Sequence, residues 1–259
     1  MTPIVLCADD YGISPSVSAA IAELAKEKRL SATSCMVDFA EPKDCDALKP
    51  LFDTIDVGLH ITFTVTRPLM TLMRDAYLRR LDRARIKSEV ERQLDRFKQL
   101  FGRPPAHIDG HQHVHILPII RDAVLEAAEK SGAYLRVTTD SHPQDFKAAS
   151  LSMMSLKLAR RARERNIPIN TAFRGTRSFH EKIAFRVLFK RMIDGAPAGA
   201  IVLCHPGLVD SVLAGRDSVT TQRVEEFDYF RSDGFLADLA AAGLSLARFR
   251  DTIASSPAR

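Results

Sequence analysis

The sequence predicts an α/β fold in which parallel strands are joined by helices, in a single domain that spans residues 1–259. Short apolar runs of strand length alternate along the chain with longer segments of helical period. The 259 residues, 46% of them hydrophobic, are enough to bury one large core of barrel size. Clusters of polar residues follow several apolar runs, and in barrel folds the carboxyl ends of the strands build the active site.

Six apolar runs are predicted to be strands, and helices are expected between them. Ser14 and Pro15 form a cap and first-turn pair at the start of the first helix. A second helix carries an apolar stripe and is closed by Gly102. Pro118 is expected to open a third helix. The predicted strands are Ile4–Ala8, Thr33–Val37, Val57–Ile61, His107–Asp109, Tyr134–Val137 and Ala200–Cys204.

The least regular segment, Pro68–Arg85, is interpreted as an insertion over one end of the barrel. Cationic side chains are concentrated in two clusters, which we interpret as solvated helix faces, with a patch for an anionic ligand or nucleic acid as the alternative. Lys and Arg outnumber Asp and Glu by only 37 to 32, so no nucleic-acid partner is expected. The clusters are Arg79, Arg80, Arg83, Arg85 and Lys87, and Arg160, Arg161, Arg163 and Arg165.

The cysteine pattern and the apolar runs indicate a cytoplasmic protein without a membrane span. The four cysteines show no CxxC spacing, which favours free, buried thiols in a reducing compartment. No charged leader precedes the first apolar run, and no apolar stretch approaches the roughly 20 residues of a membrane-spanning helix.

Two adjacent carboxylates, Asp9 and Asp10, follow the first predicted strand. Neighbouring charges at the end of a buried strand repel each other and lose hydration, a conflict that a divalent cation relieves. Side chains of an extended chain alternate between faces, so one carboxylate can bind the ion while the other handles protons beside it. The competing interpretation is that both cap the helix that begins after Ser14.

A run of histidines is the strongest single signal of function. His111, His113 and His115 occupy alternate positions after a predicted strand, and would share one face if the chain stayed extended. Imidazoles packed together gain little by themselves, whereas a transition metal binds them directly. Which of the three binds the metal is left open by the pattern.

Two further histidines follow other predicted strands. His60 ends the motif Gly58-Leu59-His60, and His205 precedes the turn Pro206-Gly207. A carboxylate combined with imidazoles suits zinc best, with magnesium as an alternative, and a set of one Asp and two His leaves coordination positions for water and substrate. The sequence therefore predicts a catalytic metal site at the barrel mouth.

The chain resembles the YdjC-like (ChbG/HpnK) carbohydrate deacetylases. The resemblance rests on four motifs in order and spans about positions 4 to 230. It also takes in Thr33-Ser34, Met36-Val37, Arg223, Glu225 and Glu226. The motifs are Ala8-Asp9-Asp10-Tyr11-Gly12, Gly58-Leu59-His60, the segment from Ile108 to His115, and Cys204-His205-Pro206-Gly207.

The resemblance implies an incomplete or distorted (β/α) TIM-like barrel with one divalent metal ion, Zn or Mg, at its mouth. It implies that Asp10, His60 and His111 bind the metal and that Asp9 is the general base. His205 is implied as general acid or oxyanion stabiliser, and Arg136 as the residue that orients the base.

The implied activity is hydrolysis of the N-acetyl group of an N-acetylated sugar, either an oligosaccharide or a glycoconjugate. A homodimer is a further expectation. Two alternatives remain open: a metal-dependent phosphoesterase, which normally needs two ions and more bridging carboxylates, and a non-catalytic barrel that binds a sugar or a metal.

Overall fold

Eight parallel strands form one sheet in the computed structural model, which describes residues 1–64, 67–140, 142–143, 146–177 and 183–254. Their order along the sheet is β5-β4-β3-β2-β1-β7-β6, and β8 pairs with the first residues of β1. Because every pairing is parallel, the carboxyl ends of the strands lie along one edge. The strands are β1 (Thr2–Tyr11), β2 (Ala32–Cys35), β3 (Asp56–Ile61), β4 (His107–Gly110), β5 (Tyr134–Leu135), β6 (Phe173–Arg174), β7 (Ile201–Cys204) and β8 (Leu244–Leu246).

The sheet curls into an incomplete barrel, which confirms the predicted fold class. The two ends of the sheet meet only through a single bridge between Leu135 and Ile169, and no ladder joins β5 to β6 among the described residues. The central strand β1 is buried from Ile4 to Tyr11. A continuous apolar run is what a strand covered on both faces requires.

Helices cover the outside of the sheet. They are α1 (Pro15–Lys26), α2 (Pro42–Leu48), α3 (Leu69–Tyr77), α4 (Arg83–Phe101), α5 (Ile120–Ser131), α6 (Phe146–Glu164), α7 (Phe185–Ile193), α8 (Ser211–Arg216), α9 (Thr221–Arg231), α10 (Asp233–Ala241) and α11 (Phe249–Ala254). Two 3-10 helices, Lys49–Leu51 and His111–Ile116, complete the described elements.

The helix boundaries follow the capping signals with one exception. The hydroxyl of Ser14 accepts a hydrogen bond from the amide of Val17, and Gly102 closes α4 in the left-handed conformation at φ 70°. The exception is α5, which begins at Ile120 rather than at Pro118. Ile119 has φ 71°, so the chain cannot be helical across it.

Two strands were not predicted, because β6 and β8 are only two and three residues long and carry no alternating pattern. The thiol prediction is confirmed: all four cysteines are free and buried. In the described part of the chain, no helix is long and apolar enough to cross a membrane.

The cationic clusters carry partners of opposite charge at the surface. Lys87 pairs with Glu126 at 2.8 Å, and Arg165 pairs with Glu129 at 3.2 Å. Such pairs are typical of solvated helix faces and contribute little to stability.

Candidate active site

A cavity of about 620 Å³ opens at the carboxyl edge of the sheet. The polar side chains that line it include Asp9, Asp10, His60, His111, His205 and Arg223. Apolar side chains also line it, from α3, from α6, and from the end of the 3-10 helix after β4 with the residue that follows: Leu69, Met73, Ile116, Leu117, Phe146, Leu151 and Met154. Helix α3 belongs to the segment Pro68–Arg85, which therefore borders the cavity, as expected for an insertion over one end of the barrel.

Asp10, His60 and His111 converge at the base of this cavity, although they are far apart in sequence. Asp10 Oδ1 lies 2.8 Å from His111 Nδ1 and 3.3 Å from His60 Nε2. One carboxylate oxygen and two imidazole nitrogens lie within 4.8 Å of one another. Asp10 has φ 68°, a left-handed conformation that turns its side chain out of the strand pattern toward the histidines.

The hydrogen bonding of His60 fits a cation between these three groups. Its Nδ1 lies 2.6 Å from Asp109 Oδ1, so the ring donates from Nδ1 and directs Nε2 at Asp10. Two lone pairs would then oppose each other at 3.3 Å unless a proton or a metal ion lies between them. Burial opposes protonation, but the charges of Asp109 and Asp9 outweigh it and raise the pKa of His60 to about 10. A carboxylate behind a metal-binding imidazole is a common arrangement in metal sites.

Asp9 lines the same cavity as Asp10 and is held by Arg136. Arg136 Nη1 donates to Asp9 Oδ2 at 2.7 Å, and Nη2 donates to Oδ1 at 2.6 Å. Nη2 also lies 2.5 Å from Asp109 Oδ2. Burial would raise the pKa of Asp9, but the adjacent guanidinium holds it below its usual value, so the carboxylate is ionised at neutral pH.

The alternation of the histidine run does not place its rings on one face, because the segment is not extended. Residues 111–116 form a 3-10 helix in which Gln112 and His113 have φ 52° and 59°. His115 Nε2 lies 3.1 Å from the main-chain oxygen of Arg136, and the His113 ring packs edge-on against Phe173. Of the three histidines, His111 is the one whose nitrogen lies in the cluster with Asp10.

His205 borders the cavity at the end of β7, where its main chain is fixed from α9. Its amide donates to Glu226 Oε2 at 2.6 Å, and Arg177 holds the other oxygen of Glu226 at 3.0 Å. Burial, together with the positive charge of Arg223, outweighs the carboxylate of Asp10 and lowers the pKa of His205 to about 4. The imidazole is therefore neutral at pH 7.

The alternative that Asp9 and Asp10 cap the first helix is wrong. Ser14 itself is the cap, and both carboxylates lie in β1. Asp10 uses its second oxygen differently: Oδ2 accepts a hydrogen bond of 2.6 Å from Arg223 Nη2. Burial opposes its ionisation, but His111 and Arg223 hold the pKa of Asp10 well below its usual range.

Two buried groups of this site received no role from the sequence alone. Asp109 and Arg223 are 0% and 1% exposed. A carboxylate inside an apolar strand is a signal that could have marked Asp109. The family resemblance takes in Arg223 without giving it a role, and only the fold brings it beside Asp10.

Comparison with known proteins finds a family model and curated relatives that cover nearly the whole chain. The model of a family described as YdjC-like protein matches residues 3–241. A curated relative from Serratia marcescens, named chitooligosaccharide deacetylase, is 26% identical over 96% of this chain and 98% of its own.

Solved structures share the fold. A proposed cellobiose-phosphate cleavage protein from Enterococcus faecalis V583 superposes with a TM-score of 0.75 at 17% identity, covering 96% of this chain and 98% of its own. A family 4 carbohydrate esterase from Streptomyces lividans, solved with acetate, gives a TM-score of 0.50 at 14% identity, covering 95% and 91%. At these identities the likeness shows a common barrel architecture.

Proposed function

Because the chain belongs to the YdjC-like protein family, we propose that it is a metal-dependent carbohydrate N-deacetylase. It would hydrolyse the N-acetyl group of an N-acetylated sugar to acetate and a free amino sugar. The convergence of Asp10, His60 and His111 beside the ionised carboxylate of Asp9 carries the proposal. The name of the Serratia marcescens relative supports it.

The proposed metal ligands are Asp10 Oδ1, His60 Nε2 and His111 Nδ1. Two nitrogens and one oxygen favour zinc over magnesium. A bound divalent cation would acidify a water molecule and polarise the acetamide carbonyl. Three protein ligands leave positions for both, as in catalytic rather than structural sites.

Asp9 is proposed to accept the proton of the attacking water. Its pKa is held below the usual value, so it is a weak base and depends on the water being acidified. Arg136 fixes both of its oxygens, which keeps the carboxylate in one orientation. The proton that Asp9 takes up is then available to the leaving amine, which departs poorly unless it is protonated.

His205 is proposed to act on the opposite side of the reacting carbon. Between the two roles implied by the resemblance, the structure favours the oxyanion stabiliser. An imidazole with a pKa of about 4 is neutral at pH 7 and can donate a hydrogen bond to the tetrahedral oxyanion. Such a donor contributes most when its position is fixed in advance, and the hydrogen bond from its amide to Glu226 helps to fix it.

A two-metal phosphoesterase is disfavoured by Arg136. A second group of possible ligands, formed by Asp9, His60 and Asp109, also lies within 4.8 Å. The guanidinium of Arg136 already bonds both of these carboxylates, and its positive charge repels a second cation. We propose one ion per chain.

The free, buried thiols support our proposal of a reducing, cytoplasmic location.

Acetate release from N-acetylglucosamine oligomers and glycoconjugates, measured on protein loaded with Zn²⁺ or Mg²⁺, tests the function. We expect release that a chelator abolishes and added metal restores. His60→Ala and His111→Ala should each lose bound metal, whereas His142→Ala, at an exposed histidine that is not among the residues lining the cavity, should retain it.

Three outcomes would each contradict part of the proposal. Absence of acetate release from the whole panel by protein with stoichiometric metal would overturn the deacetylase activity. Binding of an acetylated sugar without turnover between about pH 5 and 9 would indicate the non-catalytic barrel instead. Full metal retention by both histidine variants would refute the ligand assignment.

A further inference from the structure

The two oxygens of Asp10 face different partners. Oδ1 is directed at His60 and His111, at 3.3 and 2.8 Å. Oδ2 accepts a hydrogen bond of 2.6 Å from Arg223 Nη2. A carboxylate arranged in this way offers one oxygen to an ion between the imidazoles, because the other is engaged.

Arg223 is rigidly held by its own surroundings. Its Nη2 also donates to Asp217 Oδ2 at 2.6 Å, and its Nε donates to the main-chain oxygen of Val219 at 3.1 Å. The side chain is 1% exposed, and its main-chain oxygen accepts from the amide of Gly207 at 3.0 Å. The guanidinium therefore cannot leave Asp10 without also breaking its hydrogen bonds to Asp217 and Val219.

The charge balance shows that Arg223 does not serve to attract a cation. A guanidinium beside Asp10 repels any positive ion bound there, and the carboxylate of Asp217 offsets only part of this repulsion. Its Nη1 is buried without a hydrogen-bond partner among the described residues, which adds a cost. A buried arginine that opposes metal binding and is incompletely paired is better explained by control of the ligand than by stability.

We propose that Arg223 is a positioning residue that withholds the second oxygen of Asp10 from the metal. An Asp10 free to bind through both oxygens would occupy a coordination position that water or the acetamide carbonyl needs. It would also donate more charge and weaken the polarisation of the carbonyl. The inference rests on the proposed function, since it assumes the metal site described above.

The test is Arg223→Met, with metal affinity measured by competition with a chelator and kcat measured at saturating metal. We expect kcat to fall about 10- to 100-fold, the usual effect of removing a partner of a metal ligand. Metal affinity should stay at the wild-type value or become tighter, because a competing positive charge is gone. With Co²⁺ bound, the visible absorption should weaken, as it does when the coordination number rises.

Arg223→Lys keeps the positive charge beside Asp10 but loses the hydrogen bond from Nε to Val219. We therefore expect kcat to fall less than in Arg223→Met, and metal affinity to stay at the wild-type value. This variant decides the question if Arg223→Met does not fold. Arg186→Lys is the matched control, since Arg186 pairs with Asp238 at 2.8 Å outside the cavity lining and should leave both quantities unchanged.

A loss of metal affinity that parallels the loss of kcat would overturn the inference, since Arg223 would then be an ordinary support of the ligand. A kcat within threefold of wild type in every Arg223 variant that folds would also overturn it. In either case wild-type protein that binds metal and releases acetate leaves the proposed function standing. Wild-type protein that does neither removes the proposed function itself.

Discussion

Replacement of Arg136 by methionine should destabilise the protein in a way that depends on pH. The side chain is 0% exposed and bonds the buried carboxylates of Asp9 and Asp109. Removing one partner of a buried ion pair costs about 3–5 kcal/mol. This is a measurable part of the roughly 5–15 kcal/mol by which a domain is stable.

The pH dependence follows from the pKa values of the two carboxylates. In the wild type they are lowered, so their contribution to stability is present above the ordinary carboxyl pKa and is lost as the pH falls through the lowered values. Without Arg136, no guanidinium offsets the effect of burial, and the pKa values of Asp9 and Asp109 in the folded variant rise. The variant then loses stability as the pH rises through these values. The difference in the free energy of unfolding between wild type and variant, the stability deficit, should therefore be largest near pH 7 and smaller near pH 5.

Urea unfolding of chelator-treated protein at the two pH values measures this deficit. Arg186→Met, which removes an arginine that is 57% exposed and paired with Asp238, is the control and should cost less than about 1 kcal/mol. The reasoning is refuted if Arg136→Met costs less than about 1 kcal/mol at pH 7, or if its deficit is the same at both pH values.

Three further predictions concern the site and its support. Asp9→Asn should lower kcat by about 10²- to 10⁴-fold while metal remains bound, because the proton acceptor is lost and the ligands are not; a kcat near wild type, with metal content checked by elemental analysis, would contradict this. Gly58→Ala should destabilise the fold by about 1–3 kcal/mol, since its Cβ would overlap the buried His107 ring; an unchanged unfolding midpoint in urea would disprove the overlap. Zn²⁺ added to chelator-treated wild type should raise the melting temperature, and the rise should be absent in His60→Ala; an equal rise in that variant would place the ion elsewhere.

The placement of chemistry at strand ends could be predicted from the sequence because it depends on local order along the chain. Asp10 and His60 lie at or near the ends of apolar runs, and in a parallel sheet such ends share one edge. For His113 and His115 the shared face depended on the chain staying extended. Left-handed residues turn this segment into a 3-10 helix instead, so that condition is not met.

The strands β6 and β8 also escaped prediction. Runs of two or three residues carry too little periodicity to be distinguished from a loop, and they are strands only because β7 and β1 offer them hydrogen-bond partners. The position of helix α5 was similarly decided by the backbone of Ile119, where a left-handed residue cannot be foreseen from an isoleucine.

The sequence by itself determined the class of fold and the residue types that could hold a metal ion, since hydrophobic period and ligand chemistry are properties of the residues. Only the tertiary structure decided which atoms meet. The contacts of Asp10 with Arg223, of Asp9 with Arg136 and of His60 with Asp109 join side chains that are 213, 127 and 49 positions apart. Distances across such separations depend on strand order and on the twist of the whole sheet, which no local pattern encodes.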